Sequence, residues 1–138
     1  MRAETNVIPS DFYVELVGDV ARLHFCENVR ENEEGAELKY SYDEYVLEVR
    51  VREGLEESVR KSRDAWCALA CRLEQEALAR RIREKRQSLL DASDWTQGAD
   101  SPLDDGRRKL WADYRRKLRD ITEQNGFPYE VTFPKKPE

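Results

Sequence analysis

The residues best suited to chemistry in this chain are His24, Cys26, Cys67 and Cys71. His24 and Cys26 share one side of a strand-like run, and Cys67 and Cys71 stand one helical turn apart, so each pair can aim two ligands at a point. Four such donors would suit tetrahedral zinc. Paired CxxC knuckles are absent, however, and a histidine and thiols near Phe25 and Trp66 serve equally well as small core residues. No metal and no cofactor are expected. Catalysis has still less to stand on. His24 is the single histidine, no serine sits in a nucleophile elbow, and no glycine-rich phosphate loop occurs. The carboxylate pairs Glu56-Glu57 and Asp104-Asp105 lie where helix starts favour negative charge. The chain is therefore expected not to be an enzyme.

Basic clusters raise a second possibility, a nucleic-acid binder. Arg80, Arg81, Arg83, Lys85 and Arg86 crowd one helical stretch, and Arg107–Lys109 and Arg115–Lys117 another. Phosphate binding wants such density on one face. Here Glu76, Glu84, Asp113 and Asp120 interleave, and the chain is acidic overall, with a net charge of −5 and a pI near 5.1. Solvated helix faces with i,i+4 pairs explain the pattern, and no nucleic-acid partner is expected. Residues 1–57 hold 15 acidic against 6 basic side chains, and residues 58–138 hold 14 against 18. Such halves attract each other between copies, an effect on association rate that salt weakens. No apolar run is long enough for a membrane, no signal-like region follows Met1, and three cysteines is an odd number. Together these point to a reducing, cytosolic setting.

The elements that must position these residues fall into two characters. Phe12–Val17 is rich in strand formers, Ala21–Cys26 after a Gly18-Asp19 turn alternates with period two, and Leu38–Tyr42 and Tyr45–Val51 read as two further strands with a turn at Asp43-Glu44. Residues 1–53 are thus an antiparallel β-meander of about four strands. From Leu55 to about Ala92 there is neither proline nor glycine, and helix formers dominate. Leu55, Val59, Trp66, Leu69 and Leu73 recur at steps of three and four, alone or summed, a coiled-coil-like seam. At about 1.5 Å per residue the helix would run roughly 55 Å, beyond the cover of a small meander, so the seam is expected to join copies into a homo-oligomer. Asp104 caps a second helix carrying Leu110, Trp111, Tyr114, Leu118 and Ile121 on one stripe. The fold class is α+β. The expected divisions are the meander (1–53), a helical hairpin (54–122) and an extended proline-rich tail (123–138).

One segment is more distinctive than its parts. Arg86-Gln87-Ser88-Leu89-Leu90-Asp91-Ala92-Ser93-Asp94-Trp95-Thr96-Gln97 leads into Trp111-Ala112-Asp113-Tyr114-Arg115 and Leu118-Arg119-Asp120-Ile121, and ends in Gly126-Phe127-Pro128. Over about residues 80–134 this resembles the phage tail assembly chaperone protein family. The Gly98–Ser101 linker and Gly106 in the first turn of the second helix depart from the pattern and weaken helix initiation. The resemblance implies a non-enzymatic protein of tail morphogenesis, bound to a phage tail or tail-fibre protein, in the host cytoplasm or the virion tail. A self-associating scaffold or minor tail component is the alternative.

The residues themselves describe a helix–linker–helix corner. Asp94 and Thr96 can brace it, Trp95 can plug it, and Arg115 and Arg119, one turn apart, can reach Asp91, Asp94 or a partner carboxylate. Candidates for partner contact are Asp94, Trp95, Thr96, Gln97, Trp111, Tyr114, Arg115, Leu118, Arg119 and Asp120. Burial of Trp95, Trp111 and Leu118 within the corner is the favoured reading.

Overall fold

The computed structural model describes residues 1–138, in two compact units, Met1–Glu74 and Gln75–Glu138. The first unit is built on a four-stranded antiparallel sheet in the order β1-β4-β3-β2, with β1 Arg2–Thr5, β2 Phe12–Val17, β3 Val20–Glu31 and β4 Tyr40–Arg50. The β2–β3 hairpin turns at Gly18-Asp19, where Gly18 takes the positive φ of 64° that suits two-residue hairpin turns. Register then follows the alternation: Phe12 lies beside Phe25, and Leu23 beside Leu47, on the face that becomes the core.

Two sequence expectations for this sheet are corrected. Asp43-Glu44 is no turn, because Tyr40–Arg50 runs as one strand. The polar pair is used across strands instead: Asn28 Nδ2 donates to Asp43 at 2.8 Å, and Glu44 accepts from the Tyr13 hydroxyl at 3.0 Å. The fourth strand is Arg2–Thr5, which carries no apolar alternation and is held by backbone pairing with Tyr40–Asp43.

The continuous helix expected from Leu55 is also interrupted. It forms as α1, Leu55–Lys61, and α2, Arg63–Asp91, separated by Ser62 at φ −131° and ψ 39°. No proline or glycine marks the break. It coincides with Arg63, whose guanidinium reaches the sheet: it donates to the Glu27 carboxylate and to the carbonyl oxygens of Asp11 (2.8 Å) and Cys26 (3.2 Å). Behind the break the apolar stripe lies on the sheet. Leu55 and Val59 are buried with Phe12, Leu23, Phe25, Leu47, Cys67 and Ala70, and Trp66 and Leu69 pack partly buried against them. Of the five seam residues, Leu73 alone is exposed, at 42%. The seam's cover thus comes largely from this chain's own sheet, and the expected patch from Trp66 to Leu73 shrinks accordingly.

The second unit takes the remainder of α2, a 3₁₀ turn at Asp94–Gln97, α3 at Asp105–Arg119 and a further 3₁₀ turn at Asp120–Glu123. Asp104 caps α3 by accepting the Arg107 N–H at 2.8 Å. The α3 stripe buries Trp111, Tyr114 and Leu118 against Leu89, Leu90, Leu103 and Phe133. Phe133 brings the tail into this core. Gln124 holds the tail as a strand neighbour would: its side-chain amide donates to the Thr132 carbonyl and accepts the Thr132 N–H, each at 2.8 Å. No helix is long and apolar enough to cross a membrane.

Candidate functional site

The corner of the second unit gathers most of the candidate residues, and local geometry sorts them. The Ser93 hydroxyl lies 2.8 Å from the carbonyl of Leu89 and 3.0 Å from that of Leu90, the last-turn acceptors that α2 leaves open. The next residues form a 3₁₀ turn, in which side chains three apart fall on the same side. Ser93 and Thr96 therefore both point inward, at 2% and 0% exposure, and the Thr96 hydroxyl donates to the Ser93 carbonyl at 2.6 Å. Trp95, between them, is turned outward.

Trp95 corrects a sequence expectation. It is 53% exposed and does not plug the corner. Its ring leans on Trp111 at 5.9 Å between centroids, tilted by 59°, while Trp111 meets Tyr114 edge-on at 5.7 Å. Trp111 and Leu118 are buried as expected, at 6% and 0%, and Tyr114 joins them at 5%. The outer ring thus rests on a buried aromatic base, a geometry common to interface anchors. Beside it lies an open groove of about 550 Å³, walled by Trp95, Leu103, Arg107, Trp111 and the Lys136–Glu138 end of the tail. The Lys136 ammonium stands 5.6 Å over the Trp111 ring.

Arg115 is the brace of this corner. Its guanidinium donates to the Leu90 carbonyl at 2.6 Å, to the Ser93 hydroxyl at 2.8 Å and to the Asp94 carboxylate at 2.6 Å. A cation at the C-terminal end of α2 also suits the helix dipole. The Arg115 side chain is 12% exposed and that of Asp94 63%, so the arginine is structural and the carboxylate keeps an open side. Gln97 joins the corner to α3, donating to Thr96 at 3.1 Å and to the Arg108 carbonyl at 3.3 Å. Arg119 and Asp120 are exposed on the far end of α3 and are not drawn into the corner. Asp91 accepts from Gln87 at 2.7 Å rather than from an arginine.

Three contributors went unforeseen in the sequence. Ser93 is not among the candidates, and Phe133 and Lys136 fall in the segment expected to be an extended proline-rich tail. The signal for the docked tail is Phe133, an aromatic residue in a segment that mixes aromatic and polar side chains.

The basic stretch of α2 lines a second groove of about 770 Å³ in the same unit. Arg80 and Arg83 there alternate with Glu76 and Glu84, and the Arg83 guanidinium covers the Phe127 ring at 5.5 Å. Glu76 and Glu84 thus interrupt the row of arginines along this groove.

In the first unit, the metal-type residues separate. His24 stacks on Tyr13 at 4.4 Å and its Nδ1 lies 3.0 Å from the Glu44 carboxylate, on the sheet face away from the core. Cys67 belongs to the core on the other face, with its thiol 3.7 Å from Glu27. No group of three or more His, Cys, Asp or Glu side chains is arranged to hold a metal ion. Burial pushes the Cys26 and Cys67 thiols up to about 11, helped by Glu44 for the first and Glu27 for the second. Burial followed by the Glu44 hydrogen bond raises the Tyr13 phenol well above its usual value.

Residues 79–138 match the family model of the phage tail assembly chaperone protein, the family that the corner motif resembles. The match covers the α2 end, the 3₁₀ corner, α3 and the tail, so the structured corner and the family signal coincide. No match to the chain was found among curated proteins or among solved structures.

Proposed function

We propose that this chain is a non-enzymatic binding protein of phage tail morphogenesis whose second unit holds a tail or tail-fibre protein during assembly. The family match over residues 79–138 supports the tail-morphogenesis role. The observation that carries the binding role is the outward Trp95, half exposed on a buried Trp111–Tyr114 base beside an open groove. An indole held rigid before binding loses little entropy on contact, which is why aromatic anchors dominate interface energies. The open side of Asp94 offers a charged contact for a basic side chain at the rim. Leu110, exposed at 58%, adds apolar area on α3. The place of action on this reading is the host cytoplasm, where tails are assembled, with incorporation in the virion as the second option.

The test is co-expression with the tail and tail-fibre proteins of the same phage or prophage, followed by size-exclusion chromatography. Co-elution with one of them, lost in Trp95→Ala while the variant stays folded, supports the reading. Retention of none of them by the wild-type chain overturns it.

A further inference from the structure

The sheet of the first unit has two edges of unlike character. β1 is four residues long and carries Arg2 and Glu4, the charges with which edge strands discourage further pairing. β2 is six residues long, Phe12-Tyr13-Val14-Glu15-Leu16-Val17, with one charge. Its hydrogen bonds to β3 fall on the odd residues. The Cys26 N–H donates to the Asp11 carbonyl at 3.0 Å, and alternation along an antiparallel pair carries that pattern to Tyr13, Glu15 and Val17. Phe12, Val14 and Leu16 therefore turn their N–H and C=O groups to the open side. The Phe12 N–H finds the Asp11 carboxylate at 3.0 Å, but the amides of Val14 and Leu16 have no such side-chain partner. Apolar surface accompanies these bare amides. Leu16 is 66% exposed and Val51 45%, and with Val14 and Leu55 they form the apolar part of a groove of about 320 Å³ whose other walls include Arg52, Glu56 and Glu57.

We infer that β2 pairs antiparallel with β2 of a second copy of this chain, centred on Val14. A two-fold edge contact must place one residue opposite itself, and few centres are available. Centring on Glu15 sets two carboxylates face to face, a destabilising like-charge pair. Centring on Phe12 or Tyr13, or on Leu16 or Val17, runs much of the ladder off the strand. Val14 against Val14 uses the whole run from Phe12 to Leu16. It puts Phe12 opposite Leu16 of the second copy, and Tyr13 opposite its Glu15. All three outward-facing residues then fall on hydrogen-bonded positions, with the Phe12 N–H exchanging the Asp11 carboxylate for the second copy, and the apolar face of one sheet continues into the other. The strand is its own complement, which singles out a second copy over an unrelated peptide. The result is an eight-stranded sheet with a perpendicular two-fold axis, an isologous contact. Both first units are acidic, so the pairing is opposed by long-range repulsion and strengthens as salt screens it.

Sedimentation equilibrium of the full chain tests this, together with amide exchange of Val14 and Leu16. The expected mass is twice the 16.3 kDa of one chain. Val14→Pro removes an N–H that the β3 pairing does not use, so the edge strand tolerates it while the second copy is refused. Leu16→Lys charges the same edge without touching the backbone. Each variant is expected to raise the dimer dissociation constant at least about tenfold, with far-UV circular dichroism unchanged. The Val14 and Leu16 amides of the wild type should gain protection as concentration rises. A monomeric wild type, or amides that exchange freely within a dimer, would overturn the inference. So would a dimer that survives both variants but falls apart in Leu73→Glu.

Discussion

The Arg115 guanidinium meets the Asp94 carboxylate at 2.6 Å while the same side chain holds the Leu90 carbonyl at 2.6 Å. One arginine on α3 thus ties the last turn of α2 to the 3₁₀ corner that follows it. The two partners are unequal, because Arg115 is nearly buried and Asp94 is largely in solvent.

That inequality predicts unequal mutants. Arg115→Ala leaves the Leu90 carbonyl and the Ser93 hydroxyl without their charged donor, at a cost of about 2–3 kcal/mol. Asp94→Asn removes a mostly exposed charge and should cost less than about 1 kcal/mol. Urea unfolding followed by tryptophan fluorescence checks both, and equal losses would show that the carboxylate carries the brace.

Trp95 and Leu118 should part in the same way. Leu118 is fully buried, and Leu118→Ala is expected to cost about 2–5 kcal/mol. Trp95→Ala gives up only the inner half of its contact and should cost about 1 kcal/mol or less. A thermal midpoint lowered as far by Trp95→Ala as by Leu118→Ala would place the indole in the core.

The tail is predicted to be fixed by the turn at Gly126. A side chain there would bring Cβ to 2.4 Å from the Glu130 carbonyl oxygen, a backbone atom that cannot step aside cheaply. Gly126→Ala should therefore release residues 127–138, and Gln124→Ala should loosen them by removing both bonds to Thr132. Limited proteolysis reads this directly: variant tails should be trimmed faster while the cleavage pattern of residues 1–74 stays the same.

Cys26 and Cys67 titrate in a sense that fixes the sign of an alkaline effect. Their folded-state values, up to about 11, lie above the ordinary thiol value near 9. Between those limits the unfolded chain has lost protons that the native chain retains, so stability falls as pH rises through the window and is unaffected below it. Both thiols stay protonated near neutrality and should react with Ellman's reagent only on unfolding. Rapid labelling of Cys26 or Cys67 at pH 8 in the native protein would contradict their burial.

Much of this fold was legible because the sequence repeats its own geometry. Phe12–Val17 is rich in strand formers, the first half of β3 alternates, and the α3 stripe falls on Trp111, Tyr114 and Leu118, so these elements follow from residue type and spacing. The departures are all long-range. Asp43-Glu44 reads as a turn until Asn28 and Tyr13 are known to face it across the ladder. Nothing local betrays β1, whose pairing with β4 is a backbone event. The break at Ser62 coincides with Arg63 reaching the carbonyls of Asp11 and Cys26, which lie far off in sequence. In the candidate site, Trp111 and Leu118 are buried as their spacing suggests, whereas Trp95 is not. A tryptophan in a corner suggests burial, but the three-residue period of the 3₁₀ turn spends the inward positions on Ser93 and Thr96.

The tail-morphogenesis account is tested most directly by deleting the coding sequence from the genome that carries it and counting tailed particles by negative-stain electron microscopy. Tails or fibres should be missing or malformed in the deletion. Wild-type chain supplied in trans should restore them, and Trp95→Ala, though folded, should restore them poorly. Particles of normal number, morphology and infectivity in the deletion would contradict the account.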